Sequence, residues 1–187
     1  MVICFAFCGS FCNFENAINA LSALVAAGHR VIPVCSFHFC STDTRFGRAE
    51  ALVARIEQVC GEKVIDTLAG AEPIGPKMRP DLMVVCPCTG NTLAKLSLGI
   101  SDTPVTLAVK AHLRNRRPLV LAVASNDALS ANFRNLATMY EKKNVFFVPL
   151  RQDDIVKKPS SLVCDFAQLP ETIAEAMAGR QKLPLFV

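Results

Sequence analysis

Tryptophan is absent from this 187-residue chain and tyrosine occurs once, so its twelve phenylalanines carry nearly all of the aromatic surface. Charge is also scarce: 19% of residues are charged and the net charge is +4. That excludes the dense basic stripe expected of a nucleic-acid binder. The one tight basic cluster, Arg114, Arg116 and Arg117, closes a helical stretch, where cations suit a helix C-terminus. No apolar run approaches the ~18 residues that a membrane span requires. The opening MVICFAFCGSF lacks a basic leading region and a small-residue cleavage site, so it does not read as a signal peptide. The nine cysteines include no CxxC pair with metal-ligand spacing, and a chain of this size needs no disulfide staples. No metal site is therefore expected, and the thiols read as small core residues in a soluble cytoplasmic protein. The P-loop pattern and the G-x-G-x-x-G dinucleotide fingerprint are both missing, because Gly9 stands alone before Ser10 and Phe11.

Short apolar runs alternate with helical patterns throughout. Strands are predicted at Val2 to Phe7, Val31 to Val34, Leu82 to Cys86, Leu119 to Ala124 and Val145 to Val148. Ala17, Ala20, Leu21, Leu24 and Val25 recur at helical spacing until Gly28, and Ala49 to Val59 until Gly61. Further helices are expected around Leu93 to Ile100, Val105 to Leu113 and Ala128 to Lys142, with a last one from Pro170 to Gly179. Ser36 to Gly47 reads as a polar loop, and the proline-rich Ala69 to Pro80 as a connection. Near-continuous apolar strands alternating with helices imply a parallel sheet covered on both faces. The expected fold is one doubly wound, Rossmann-like α/β domain over residues 1–187, without repeats.

In such sheets ligands bind beyond the carboxyl ends of the strands. The predicted strand ends lead into Gly9-Ser10, Ser36 to Thr44, Cys88-Thr89-Gly90-Asn91-Thr92 and Ser125-Asn126-Asp127. Each loop is rich in small hydrogen-bonding residues. Singly these are ordinary helix caps; four at one sheet edge describe a rim suited to a phosphate or carboxylate. Without a dinucleotide fingerprint, a mononucleotide is favoured over a nicotinamide dinucleotide. Cys86 is expected inside the sheet, and Cys88 in the loop, where a helix start would acidify its thiol. His29 and His112 read as surface residues; His38, in the second rim loop, is placed for catalysis or for a plain loop role. Arg45 is either a clamp for a carboxylate or a surface charge before a helix.

The segment CPCTGNTLAKLSLGISDTPVTLAVKAHLRNRRPLVLA resembles the hallmark region of the flavin-binding cysteine decarboxylase-like flavoproteins. Their Pro-Ala-(Ser/Thr)-Ala-Asn-Thr loop is matched by Pro87, Thr89, Asn91 and Thr92. STDTRFG, AEPIGPK, SNDAL and QDDIVKKP, in that order, narrow the resemblance to one branch of the family, across almost the whole chain. That branch is the B-subunit of a two-subunit oxidoreductase forming pyridine-2,6-dicarboxylate from a dihydrodipicolinate-level precursor during sporulation. The resemblance implies FMN as cofactor and a partner, the A-subunit, that holds NAD or NADP. It also implies a small dicarboxylate substrate and a homo-oligomer built from trimers, with sites at subunit interfaces. On this reading Gly9, Ser10, Ser36, Thr89, Gly90, Asn91, Thr92, Ser125 and Asn126 form the cofactor site, and Asn91, Asn126 and Arg45 act on the substrate. Two departures stand out. The decarboxylases carry a histidine about fourteen residues before the hallmark Pro, where this chain has Glu72-Pro73; and of their Pro-x-Met-Asn-x-x-Met motif only Asn126 is kept. The alternatives are a decarboxylase or prenyltransferase of the wider family, and a non-catalytic subunit that stabilises the A-subunit.

Overall fold

A computed structural model describes residues 1–187. Strand β1 (Val2–Phe7) leads through a single 3-10 turn into helix α1 (Phe14–Ala26), and β2 (Arg30–Cys35) follows. Helices α2 (Phe37–Ser41), α3 (Ala49–Cys60) and α4 (Leu68–Ala71) precede β3 (Leu82–Cys88). Next come α5 (Gly90–Leu98), α6 (Pro104–Leu113), β4 (Leu119–Ser125), α7 (Phe133–Tyr140) and β5 (Val145–Phe147). The chain closes with β6 (Leu150–Asp154), β7 (Lys158–Cys164) and α8 (Leu169–Met177). No helix is long and apolar enough to cross a membrane.

Strands β2, β1, β3, β4 and β5 pair in parallel in that order, so the strand order reverses between β1 and β3. This is the doubly wound arrangement expected, and every residue of β3 is buried. One element departs from it. The hairpin β6–β7 adds antiparallel to the carboxyl end of β4, pairing Ala124 with Val163 and Ser125 with Leu162, which makes the seven-stranded sheet mixed. The polar, charged face of β6 gives no apolar alternation, so the sequence reading finds no strand there.

Local chemistry explains the other differences. Ser36 caps α2 inside the expected polar loop, its hydroxyl accepting from the Phe39 N–H. Helix α7 starts only at Phe133 because residues from Asn126 to Asn132 form turns. Gly61 and Gly99 end α3 and α5 in the left-handed conformation that glycine adopts without penalty. Thr103 and Thr106 form a reciprocal capping box at α6, with Pro104 at the first helical position.

The core is a single cluster of 49 buried residues. Phe5, Phe7, Phe14 and Phe39 meet in it with ring centroids 5.0 to 6.1 Å apart. The lone tyrosine, Tyr140, lies elsewhere, against Phe147 of β5.

At the amino ends of the strands, polar groups close on one another. The Asp81 carboxylate accepts from the Val2 N–H at 2.9 Å, and Asn115 donates to the Gly75 carbonyl at 2.7 Å. Arg117 donates to the carbonyls of Arg79 and Pro80. His112 is fully buried with Nε2 2.9 Å from the Pro118 carbonyl, which corrects its reading as a surface residue: the helix end that carries it is covered by the turn into β4.

Candidate functional site

Two cavities open side by side at the carboxyl ends of the parallel strands, above the β1/β3 reversal. The larger, of about 620 Å³, runs from Gly9–Asn13 past Thr89–Asn91 and Ala124–Asp127 to the hairpin residues Asp153, Lys158 and Ser161–Val163. The smaller, of about 530 Å³, reaches from Ser36, Phe37 and His38 to Lys95, Asp102 and Thr103. Gly9, Phe11, Thr89 and Asn91 line both.

Nine of the ten residues expected at the site line one cavity or both. Gly9, Ser10, Thr89, Gly90, Asn91, Ser125 and Asn126 border the larger, and Ser36 and Thr92 the smaller. Arg45 is the exception. Its guanidinium lies over the Phe46 ring, 4.9 Å from the centroid, and it borders neither cavity. Its neighbours Thr44 and Phe46 face the larger one instead.

Their hydrogen bonds divide these residues into two kinds. Thr89 caps α5, accepting from the Thr92 N–H, while the buried Thr92 hydroxyl donates to the Cys8 thiol at 3.3 Å. The Ser125 hydroxyl donates to the Asp127 carboxylate, and Ser36 is occupied by its cap. These hydroxyls hold the walls together. Asn91 is exposed at the first turn of α5, where backbone N–H groups have no intrahelical acceptor. Asn126 accepts from Ser161 at 3.4 Å and keeps its amide N–H groups for a ligand.

Gly90 has a reason to be glycine. A Cβ there would stand 2.3 Å from the Ser125 hydroxyl and 2.6 Å from the Asn132 side-chain nitrogen. The start of α5 therefore packs directly on a polar chain. Ser97 donates to Asn135, Asn135 to Asn132, each at 2.8 Å, and Asn132 to Asp127 at 2.8 Å. The Ser125 hydroxyl first, and Asn132 after it, hold the Asp127 carboxyl below the usual aspartate range.

Beneath the rim the chemistry is inert. Cys88 is the last residue of β3 and fully buried, which corrects its placement in the loop that follows. Desolvation pushes its pKa well above the ordinary thiol value, and that of Cys8 up to about 11, so neither is a thiolate at neutral pH. His38 is exposed and borders the smaller cavity, where Lys95 is paired with Asp102 at 2.9 Å.

The sequence reading gave Asp127 a place in the fourth rim loop but no role, and it missed Asp153, Lys158 and Ser161, which the unexpected hairpin supplies. It also missed Phe11. This half-buried ring stacks on Phe39, 5.7 Å away and 10° from parallel, and faces both cavities. An aromatic residue two positions after the Gly9 turn was the one signal available.

A 2-1-3-4-5 parallel sheet with its cavities at the β1/β3 reversal is the frame of a flavodoxin-like mononucleotide-binding protein. The flavoprotein family model matches residues 2–178, and the chain belongs to the flavoprotein family. Within it, the chain is 43% identical over 183 residues to the dipicolinate synthase B-subunit of Bacillus subtilis, covering 98% of this chain and 92% of that one. It also superposes on the crystal structure of the dipicolinate synthase B-subunit from Bacillus halodurans with a TM-score of 0.91 at 36% identity, covering 100% and 95% of the two chains. The FMN-dependent cysteine decarboxylase SpaF shares the fold, with a TM-score of 0.66 at 22% identity over 95% of each chain.

Proposed function

We propose that this chain is the flavoprotein-type subunit of a dipicolinate synthase. It works in the cytoplasm with a nicotinamide-binding A-subunit, which carries NAD or NADP, to oxidise a dihydrodipicolinate-level precursor to pyridine-2,6-dicarboxylate during sporulation. The observation that carries this reading is similarity to B-subunit relatives over the full chain, hairpin included. The cavity chemistry agrees with it: amides, hydroxyls and a helix start are donors suited to a small diacid.

FMN fits the same rim. Ser10, the Ser36 hydroxyl proton that its cap leaves free, and the free N–H groups at Gly90 and Asn91 would hold its phosphate, and Phe11 offers a ring face. Bound FMN supplies two-electron redox chemistry. The chain's own part is to orient and to donate: Asn91 and Asn126 hold the substrate, Gly9 lets it approach the backbone, and the hairpin screens it from water. A homo-oligomer of trimers, with the open sides of the cavities covered at subunit contacts, completes the reading.

A non-catalytic role, stabilising the A-subunit, is the second reading, because Cys8 and Cys88, beneath the rim, are buried and protonated. The decarboxylase and prenyltransferase reading is weaker, since Glu72-Pro73 stands where the decarboxylases carry histidine. Purifying the chain with and without its A-subunit, then measuring flavin content and dipicolinate formation, separates the three. Faster dipicolinate formation by the two together than by the isolated A-subunit supports the proposal. Equal rates at equal A-subunit stability reject it.

A further inference from the structure

Asp127 is set apart from the other charged groups around the larger cavity. Of the three charged side chains that line it, Lys158 and Asp153 form an ion pair at 2.6 Å, leaving Asp127 without a cation. The groups placed against it are neutral: Ser125 and its own backbone N–H on the same loop, Asn132 before α7, and Gly90 at the start of α5. The nearest ionisable group on α5, Lys95, sits at the neighbouring cavity and is taken by Asp102. The carboxylate is also aimed. Asn132 holds one oxygen and Ser125 the other, and the Ser97–Asn135–Asn132 chain fixes Asn132 in turn. Ser125, Asn132 and its own backbone N–H take three of the carboxylate's roughly four acceptor sites, which leaves one for a ligand.

The lining thus carries a net charge of −1 (Lys158 +1, Asp153 −1, Asp127 −1). A free dianion would enter against that charge, and desolvation would strengthen the repulsion. Asn91 and Asn126 can donate to the carboxylates of a ligand, but Asp127 can only accept.

We propose that Asp127 recognises a hydrogen on the ring nitrogen of the substrate, so that the site takes a cyclic-imine or pyridine-type diacid in its N-protonated form rather than as the free dianion. This rests on the diacid reading above. Binding then takes up a proton from solvent, shared between the ring nitrogen and Asp127, and a carbocyclic diacid of the same shape is rejected because it leaves Asp127 facing a C–H.

The test is titration calorimetry on the chain in complex with the A-subunit. The ligands are pyridine-2,6-dicarboxylate and benzene-1,3-dicarboxylate, in two buffers of different ionisation heat at neutral pH. The wild-type complex is expected to bind the pyridine acid at least about ten-fold more tightly, the ratio expected for one hydrogen bond to a charged group. It should take up about one proton with the pyridine acid and none with the benzene acid. Asp127→Asn should lose both the preference and the proton uptake. Equal affinity for the two acids, or no proton uptake in the wild type, overturns the proposal without any variant, so a misfolded Asp127→Asn leaves it decidable. Preference and uptake retained in Asp127→Asn overturn it as well. If neither acid binds the wild-type complex, the diacid reading fails, and this proposal fails with it.

Discussion

The two ends of the sheet use similar polar residues to opposite purposes. At the amino ends, Arg117, Asn115, Asp81 and His112 bond to backbone groups of neighbouring loops. At the carboxyl ends, Thr89 bonds to Thr92, Thr92 to Cys8 and Ser125 to Asp127, while Asn91, Asn126 and Asp127 border the cavity with bonding capacity to spare. Buried polar groups must find partners in either place. A binding site arises where part of that requirement is left for a ligand to meet. Substitutions at the amino ends should therefore change stability alone, and those at the cavity face should change binding.

The largest effect is expected where both purposes meet. Gly90→Ala should cost about 1–3 kcal/mol by forcing Ser125 and Asn132 apart, and should weaken flavin and diacid binding too. An unchanged urea midpoint would show that the polar chain can yield. Arg117→Met, at the other end, should cost about 1–2 kcal/mol through lost bonds to the Arg79 and Pro80 carbonyls, with ligand binding intact. Altered binding in that variant would break the contrast.

His112 gives a pH test. Burial lowers its pKa from the ordinary 6.5, so the folded state binds fewer protons there than the unfolded chain. Its contribution is whole above about pH 6.5 and is lost as pH falls below that value. His112→Gln should therefore show a shallower drop in stability between pH 7 and pH 5, read from denaturant midpoints. Smallest in stability is Asn91→Ala, within about 0.5 kcal/mol for an exposed side chain. Equilibrium dialysis should nevertheless show several-fold weaker flavin retention. A destabilised but fully binding variant would reverse the assignment of ends.

The parallel sheet was legible because β1, β3 and β4 are buried on both faces and read as unbroken apolar runs. The rim was legible because small polar residues follow each of those runs. The hairpin was not, since Arg151 to Asp153 are exposed and carry no apolar alternation, and the wall it builds was lost with it. Nor does sequence tell which hydroxyls are already engaged: Thr92 and Asn91 are both polar residues of one loop, yet only Asn91 is free. Arg45 shows the same limit, because a residue beside the rim turns outward over Phe46 while its neighbours face in.

The placement of Tyr140 has a spectroscopic consequence. With no tryptophan in the chain, ultraviolet emission comes from one phenol, packed on Phe147 away from the Phe11 side of the cavities. That emission follows the unfolding of α7 and β5, while a flavin at the rim would report in the visible. One sample thus yields two optical channels, for fold and for occupancy, without a label.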